Sequence, residues 1–132
     1  MNILARIQRY SLVITIVIIL GFGSNLYNGT CYELINNRIA GTWYVVFFSL
    51  LTAMLFKKYP VIPIILIVLI TTVILEFTQL ISNSFLEKLR EYYIVRGLIG
   101  NSFNWKDIPF YFLGTLISLI SIHFLEKKRR LI

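Results

Sequence analysis

Long apolar segments alternate with short polar ones along this chain. Four apolar segments are evident, at about residues 10–27, 39–56, 61–81 and 108–124. Each is close to the roughly 20 residues that an α-helix needs to cross a bilayer. A helix satisfies its own backbone hydrogen bonds, so helices rather than strands are expected in lipid. The pattern predicts an all-α, polytopic membrane protein in which residues 1–132 form one domain of four transmembrane helices.

The first apolar segment has a second interpretation. Arg6 and Arg9 precede an apolar run, as in a signal peptide, and Gly21 and Gly23 resemble a weak cleavage site. The run continues past both glycines to Leu26. This length favours an uncleaved transmembrane helix, with the cleaved signal peptide as the alternative.

The connection between the third and fourth segments, residues 82–107, is too long for a simple turn. Apolar and charged residues alternate between Phe85 and Val95. This pattern predicts a short amphipathic helix that lies on the membrane surface. Gly97 and Gly100 are expected to end that helix. Asp107 directly precedes the fourth segment, where a carboxylate can cap the first turn.

Composition and charge agree with a membrane location. The 132 residues are 58% hydrophobic and 14% charged, with a formal net charge of +7. Eight Lys and Arg residues lie before the first segment, between the second and third, or after the fourth, and five lie on the other side. Because Lys and Arg concentrate in cytoplasmic loops, this distribution predicts cytoplasmic N- and C-termini. It also accounts for the positive charge without a nucleic-acid partner.

Polar side chains interrupt the third segment at a helical spacing. The positions, four, three and four residues apart, are Thr72, Glu76, Gln79 and Asn83. On a helix these side chains share one face. An ionisable residue inside a span is by default a candidate functional residue. For the hydroxyl and amide side chains the alternative is a contribution to helix packing of about 1 kcal/mol each.

The fourth segment carries a matching set of positions. They are Asp107, Tyr111, Gly114 and Ser118. If the two helices run antiparallel, the helical rise brings Gln79 level with Tyr111 and Glu76 level with Gly114. We therefore expect Gly114 to leave room for the Glu76 carboxylate. Tyr111 and Gln79 are its expected hydrogen-bond donors.

A basic partner for Glu76 is expected from residues 82–107, with Arg90 and Arg96 as the main candidates and Lys106 as the third. A metal site is not expected, because His123 is the only histidine and Cys31 the only cysteine. A single cysteine also excludes a disulfide within the chain. No motif for an organic cofactor is present.

Several of these residues lie in short motifs whose order and spacing can be compared with those of a known family. The motifs are Glu76-x-x-Gln79, Phe85-x-Glu87-x-x-Arg90, Gly100-x-x-Phe103-x-Trp105-x-Asp107, then Tyr111 and Gly114, with a weaker match at Arg38-x-x-Gly41-x-Trp43. Together they resemble DUF family 2809, a bacterial family of small membrane proteins of unknown function that is similar to the VanZ-like proteins. The resemblance implies a bacterial cell membrane. VanZ-like proteins are associated with reduced susceptibility to a glycopeptide antibiotic, which implies the outer face of the envelope.

Three hypotheses for function follow. The first is a non-catalytic protein that binds a membrane-lipid headgroup or a lipid-linked cell-wall precursor in an outward polar pocket. Its expected ligand-binding residues are Glu76, Gln79, Arg90, Trp105, Asp107 and Tyr111. The second is an enzyme that acts on a lipid-linked substrate, with Glu76 and Asp107 as an acid–base pair. The third, a channel or transporter subunit, is the weakest because the sequence has no evident inverted repeat.

Overall fold

The computed structural model of the protein describes residues 2–81, 83–99 and 103–132. Within these ranges the chain forms four long helices, which are α1 (Ile3–Leu26), α2 (Ala40–Leu55), α3 (Val61–Thr78) and α6 (Ile108–Leu125). Two short helices, α4 (Ser84–Arg90) and α5 (Tyr93–Ile99), connect α3 to α6. By length and composition, the four long helices can cross a membrane. The prediction of an all-α protein with four spans is confirmed.

The first two long helices begin differently from the prediction. Helix α1 starts at Ile3, well before residue 10, and Asn2 accepts a hydrogen bond from the Leu4 amide at its start. The residues that precede the apolar run include the good helix formers Leu4, Ala5 and Arg6, so the helix extends ahead of that run. Arg6 is buried there and paired with Glu126. Helix α2 continues directly from a π-helical turn, Leu34–Ile39, which carries Arg38.

Helix α3 ends earlier than predicted, at Thr78 instead of residue 81. The amides of Leu80 and Ile81 bond to carbonyls three residues back, a tight closure typical of helix ends. Asn83 lies outside the helix and caps α4 by accepting the Phe85 amide. The prediction that Asn83 extends the polar face of the third span is therefore wrong. Thr72 and Glu76 remain on that helix, and Gln79 is its C-terminal cap.

The connection after α3 contains two short helices where one was predicted. Helix α4 closes with the amides of Glu91 and Tyr92 bonded to carbonyls three residues back, and α5 then begins at Tyr93. Gly97, expected to break the predicted helix, lies inside α5. Gly100 lies outside the described residues.

Helix α2 packs against the other three long helices and holds the centre of the bundle. Its buried Val46 and Leu50 pack in one core cluster with Tyr10 of α1, Ile65 of α3 and Ile122 of α6. Many large apolar side chains on the outer faces of the long helices are exposed, as expected of surfaces that face lipid. They include Leu12, Ile19, Ile67, Ile70, Leu116 and Ile120.

Gly114 allows α6 to approach α2 closely. A Cβ atom on Gly114 would lie 2.7 Å from the carbonyl oxygen of Thr42 and 3.0 Å from Cβ of Val45, both on α2. The expectation that Gly114 leaves space for the Glu76 carboxylate is therefore wrong. At the position of Gly114, α6 meets α2 instead of α3.

The bundle has two distinct ends. At the termini end, the start of α1 meets the segment after α6, where Arg6 and Glu126 form a buried ion pair. The connection between α2 and α3 lies at this same end, since the Val61 amide bonds to the Arg130 carbonyl. The loop end holds α4, α5 and the 3₁₀ turn Trp105–Asp107, and there the Tyr44 hydroxyl donates to the Leu98 carbonyl.

Candidate functional site

The Glu76 carboxylate lies in the last turn of α3 and is 2% exposed. Its Oε2 accepts a 2.6 Å hydrogen bond from the Tyr111 hydroxyl and a 3.2 Å bond from the Gln79 amide. Its Oε1 accepts the backbone amide of Asn104 at 3.0 Å. Tyr111 and Gln79 are thus the donors expected from sequence, and the Asn104 amide is a third.

The Tyr111 ring packs against Gly41 of α2, where a larger residue would leave no room for it. A Cβ atom on Gly41 would lie 2.9 Å from Cε1 of Tyr111, closer than side-chain atoms normally approach. The ring is 9% exposed, so its hydroxyl is held in place by packing. The absence of a side chain at Gly41 therefore leaves room for the Tyr111 ring in the position from which its hydroxyl bonds to Glu76.

An aromatic cluster holds the Asn104 amide beside Glu76. The rings of Phe103 and Trp105 lie on either side of Asn104 in sequence, and both contact Phe77, with centroid distances of 5.4 and 5.8 Å. Phe77 follows Glu76 directly on α3. These contacts tie the approach to α6 onto the end of α3 and fix the Asn104 backbone at the carboxylate. Trp105 itself is 67% exposed and does not line the cavity described below.

Asp107 occupies the N-cap position of α6 but makes no side-chain capping bond. Its Oδ1 lies 4.0 Å from Nε of Arg38. Within the described part of the chain this oxygen is buried and accepts no hydrogen bond. Arg38 comes from the π-helical turn before α2, and such turns are frequent at functional sites. Asp107 and Arg38 therefore form a loose ion pair with unused hydrogen-bonding capacity.

The expected basic partner of Glu76 is not found. Among the described residues no Lys or Arg nitrogen lies within 4.0 Å of its carboxylate. In Arg90, Nε and Nη2 are buried without a hydrogen bond to any described residue, and Arg90 does not line the cavity. Arg96 does line it, with its guanidinium 5.9 Å from the Tyr93 ring centroid. Three hydrogen-bond donors take the place of the predicted cation.

A cavity of about 1060 Å³ opens at the loop end between α1, α2, α3 and α5. Glu76, Gln79, Asp107 and Tyr111 all line it, so four of the six predicted ligand-binding residues share this cavity. Much of the remaining lining consists of amide and aromatic side chains. These are Asn25, Asn36, Asn37, Asn104, Tyr32, Trp43, Tyr44 and Tyr93.

The contacts described above leave the Glu76 carboxylate little further hydrogen-bonding capacity. Both of its oxygens already accept hydrogen bonds from the protein, which hold the carboxylate in one position. A carboxylate offers about four acceptor sites, so one remains for a donor on a ligand. Asp107 has more capacity left because its Oδ1 accepts no bond. The residues described around the site contain no group of three or more His, Cys, Asp or Glu that could hold a metal ion.

Three contributors to this site were not predicted from sequence as site residues. They are Arg38, Gly41 and the Asn104 backbone. Arg38 and Gly41 belong to the motif Arg38-x-x-Gly41-x-Trp43, which was the available signal. The role of Asn104 had no signal, because a backbone amide is present at every residue other than proline.

Comparison with known proteins shows a family match. The family described as "Protein of unknown function (DUF2809)" matches residues 30–115. This range begins before the π-helical turn and ends within α6, so it contains Arg38, Glu76, Asp107 and Tyr111. No curated protein and no solved structure matches the chain.

Proposed function

This chain belongs to the family of proteins of unknown function DUF2809, and we propose that it is a VanZ-like membrane protein that binds lipid headgroups. The ligand is the headgroup of an envelope lipid or of a lipid-linked cell-wall precursor. The binding site is the loop-end cavity. The proposal places the protein in the bacterial cell membrane, with both termini in the cytoplasm and the cavity open to the outer leaflet.

The observation that carries the proposal is the combination of two carboxylates and many amides in a cavity among apolar helices. Glu76 is 2% exposed and lies in the last turn of a helix that can span a membrane, and ionisable residues in such helices mark binding or transport sites. The cavity volume of about 1060 Å³ slightly exceeds the roughly 300–1,000 Å³ typical of small-molecule sites. A headgroup with several hydroxyl or amide groups fits this lining.

The lining also suggests how a headgroup is held. Asp107 and the free acceptor site of Glu76 accept hydrogen bonds from ligand hydroxyl or N–H groups. Arg96 and the asparagine amides donate to ligand oxygens, and the aromatic rings pack on apolar faces. The acyl chains of the ligand remain in the bilayer, beside the exposed apolar faces of the helices.

The orientation rests on the charge distribution. At the termini end, Arg6 and Arg129 form ion pairs with Glu126, and the other basic residues have no ion pair among the described residues. The loop end carries both basic and acidic residues. The positive-inside rule then assigns the termini end to the cytoplasm. Labelling of Cys31 by a membrane-impermeant maleimide tests this assignment, because Cys31 is exposed at the loop end.

The binding role is tested by the lipids that accompany the purified protein. Wild type, Asp107→Asn and Glu91→Gln are purified in mild detergent, and their lipids are identified by mass spectrometry. We expect wild type and the exposed control Glu91→Gln to be enriched in one lipid class, and Asp107→Asn to lose most of it. The same lipid composition in all three proteins, equal to that of the membrane, would contradict the proposal.

A second candidate function is an enzyme acting on a lipid-linked substrate. The observation in its favour is that Glu76 and Asp107 line the same cavity. In this case one carboxyl group acts as acid and the other as base. Incubation of the purified protein with envelope lipid extract, followed by mass spectrometry, tests it. A product formed by wild type and absent with Glu76→Gln would support the enzyme over the binding protein.

A further inference from the structure

A second concavity, of about 530 Å³, lies at the termini end and is lined mainly by basic residues. We call it the termini-end groove; its walls are the α2–α3 connection, residues 57–60, and the segment after α6, residues 126–130. Six of its cations have no ion pair within 4.0 Å among the described residues. They are Arg9, Lys57, Lys58, Lys127, Lys128 and Arg130.

The two walls of the groove are fixed to each other. The buried guanidinium of Arg129 donates to the carbonyls of Ala53, Phe56 and Tyr59, at 2.8, 2.6 and 3.0 Å. The amide of Val61 bonds to the carbonyl of Arg130 at 3.1 Å, so the segment after α6 also caps the start of α3. The backbone that carries the unpaired cations is therefore held by hydrogen bonds and does not behave as a free tail.

The acid in the groove lining does not neutralise these cations. Glu126 pairs with Arg6 through one carboxylate oxygen and with Arg129 through the other, at 3.0 Å for the second pair. Its side chain is 7% exposed. Both carboxylate oxygens of Glu126 are thus engaged in ion pairs. The remaining cations give the concavity a strong positive field that attracts anions.

The apolar part of the lining indicates what kind of anion is bound. Phe124 and Tyr59, 68% and 60% exposed, line the groove beside its cations. Phe124 lies in the last turn of α6, where a spanning helix meets the headgroup region. Six cations exceed what one singly charged phosphate can neutralise. We infer that the termini-end groove binds a membrane-lipid headgroup carrying at least two negative phosphate charges.

The site is distinct from the loop-end cavity, and its test does not depend on the function proposed there. Basic residues also orient a membrane protein during insertion. In detergent solution orientation has no influence on binding, so binding measured there reports on the groove. The probe is cardiolipin, which carries two phosphates, with phosphatidylcholine as the lipid without net charge.

Native mass spectrometry in detergent measures the affinity of wild type and two double variants for each lipid. The groove variant is Lys57→Gln with Lys128→Gln, one from each wall. The matched control, Lys88→Gln with Lys106→Gln, removes two lysines at the loop end. At roughly fivefold per basic residue, the groove variant is expected to bind cardiolipin about 30-fold more weakly, with the control unchanged. Lys57→Arg with Lys128→Arg is expected to keep the wild-type affinity.

Three outcomes would overturn the inference. The first is the same cardiolipin affinity in wild type, groove variant and control. The second is no preference for cardiolipin over phosphatidylcholine in wild type. The third is that inorganic pyrophosphate binds wild type as tightly as cardiolipin does, since the groove would then hold a soluble anion. Thermal unfolding of each variant confirms that a loss of binding is not a loss of fold.

Discussion

Replacing Tyr111 with phenylalanine tests the buried hydrogen bonds at Glu76 most directly. The substitution removes one oxygen and leaves the ring packed against Gly41. It deletes the shortest of the three hydrogen bonds that the Glu76 carboxylate accepts, the 2.6 Å bond from the Tyr111 hydroxyl. The bonds from Gln79 and Asn104 remain.

The expected loss of stability follows from the burial of the acceptor. Hydrogen bonds to charged groups contribute about 1.5–3 kcal/mol, and short charge-assisted bonds are roughly twice as strong as neutral ones. Hydrogen bonds between membrane helices average about 0.6 kcal/mol because the unfolded state finds other partners. Glu76 is 2% exposed, so little water can replace the lost donor. We expect Tyr111→Phe to lower the free energy of unfolding by about 1.5–3 kcal/mol.

Reversible unfolding with increasing SDS in mixed micelles, followed by circular dichroism, measures this loss. The matched control is Tyr92→Phe, because Tyr92 is 68% exposed and should tolerate loss of its hydroxyl. A double-mutant cycle with Glu76→Gln isolates the pair. If the bond is charge-assisted, the two substitutions are expected to be coupled by about 1 kcal/mol.

Two results would refute this reasoning. The first is a loss for Tyr111→Phe no larger than that for Tyr92→Phe. The second is a loss of unfolding free energy for Tyr111→Phe that has the same size in the Glu76→Gln background. The effect would then come from the ring or from α6 and not from the carboxylate.

Three further substitutions test other parts of the fold by the same SDS titration. Gly114→Ala is expected to cost about 1–3 kcal/mol, because its Cβ would overlap the Thr42 carbonyl and force α2 and α6 apart; no measurable loss would contradict the close approach. Arg129→Gln is expected to cost about 2–3 kcal/mol, since it removes a buried charge-assisted bond to Glu126 and the bonds that the guanidinium donates to three carbonyls; a loss under about 0.5 kcal/mol would contradict it. Arg38→Gln is expected to cost at most about 1 kcal/mol, because its ion pair is partly exposed. It is also expected to reduce the amount of lipid that co-purifies; unchanged lipid content would contradict a contribution of Arg38 to binding.

The parts of the fold that depend on local sequence could be predicted from it. The length of an apolar run sets the number of spans, and helical spacing puts Glu76 and Gln79 near one face. The antiparallel arrangement of the third and fourth spans then brings Tyr111 to them. The end of α3 could not be predicted in this way. Leu80 and Ile81 are apolar, so the hydrophobic pattern continues past Thr78, where the backbone has already turned.

The parts that depend on how helices pack were missed. Spacing along α6 identifies the face that contains Gly114, but not whether α2 or α3 lies against it. Arg38 precedes the second span in sequence, and only the packing of the π-helical turn on the 3₁₀ turn Trp105–Asp107 brings it to Asp107. The role of Asn104 depends on the aromatic contacts of its neighbours with Phe77. Prediction of each of these features requires knowledge of how two elements of the fold lie relative to each other.

The hydrogen bonds from α3 to the segment after α6 set an order of events during synthesis. The amides of Val61 and Ile62 find their acceptors, the carbonyls of Arg130 and Leu131, some 70 positions further along. Until the ribosome has released those later residues, the beginning of the third helix must rely on water or headgroups for partners. Closure of this side of the bundle is consequently a post-insertion event, and nascent chains arrested before position 126 should leave Lys57 and Lys58 more open to protease than finished ones.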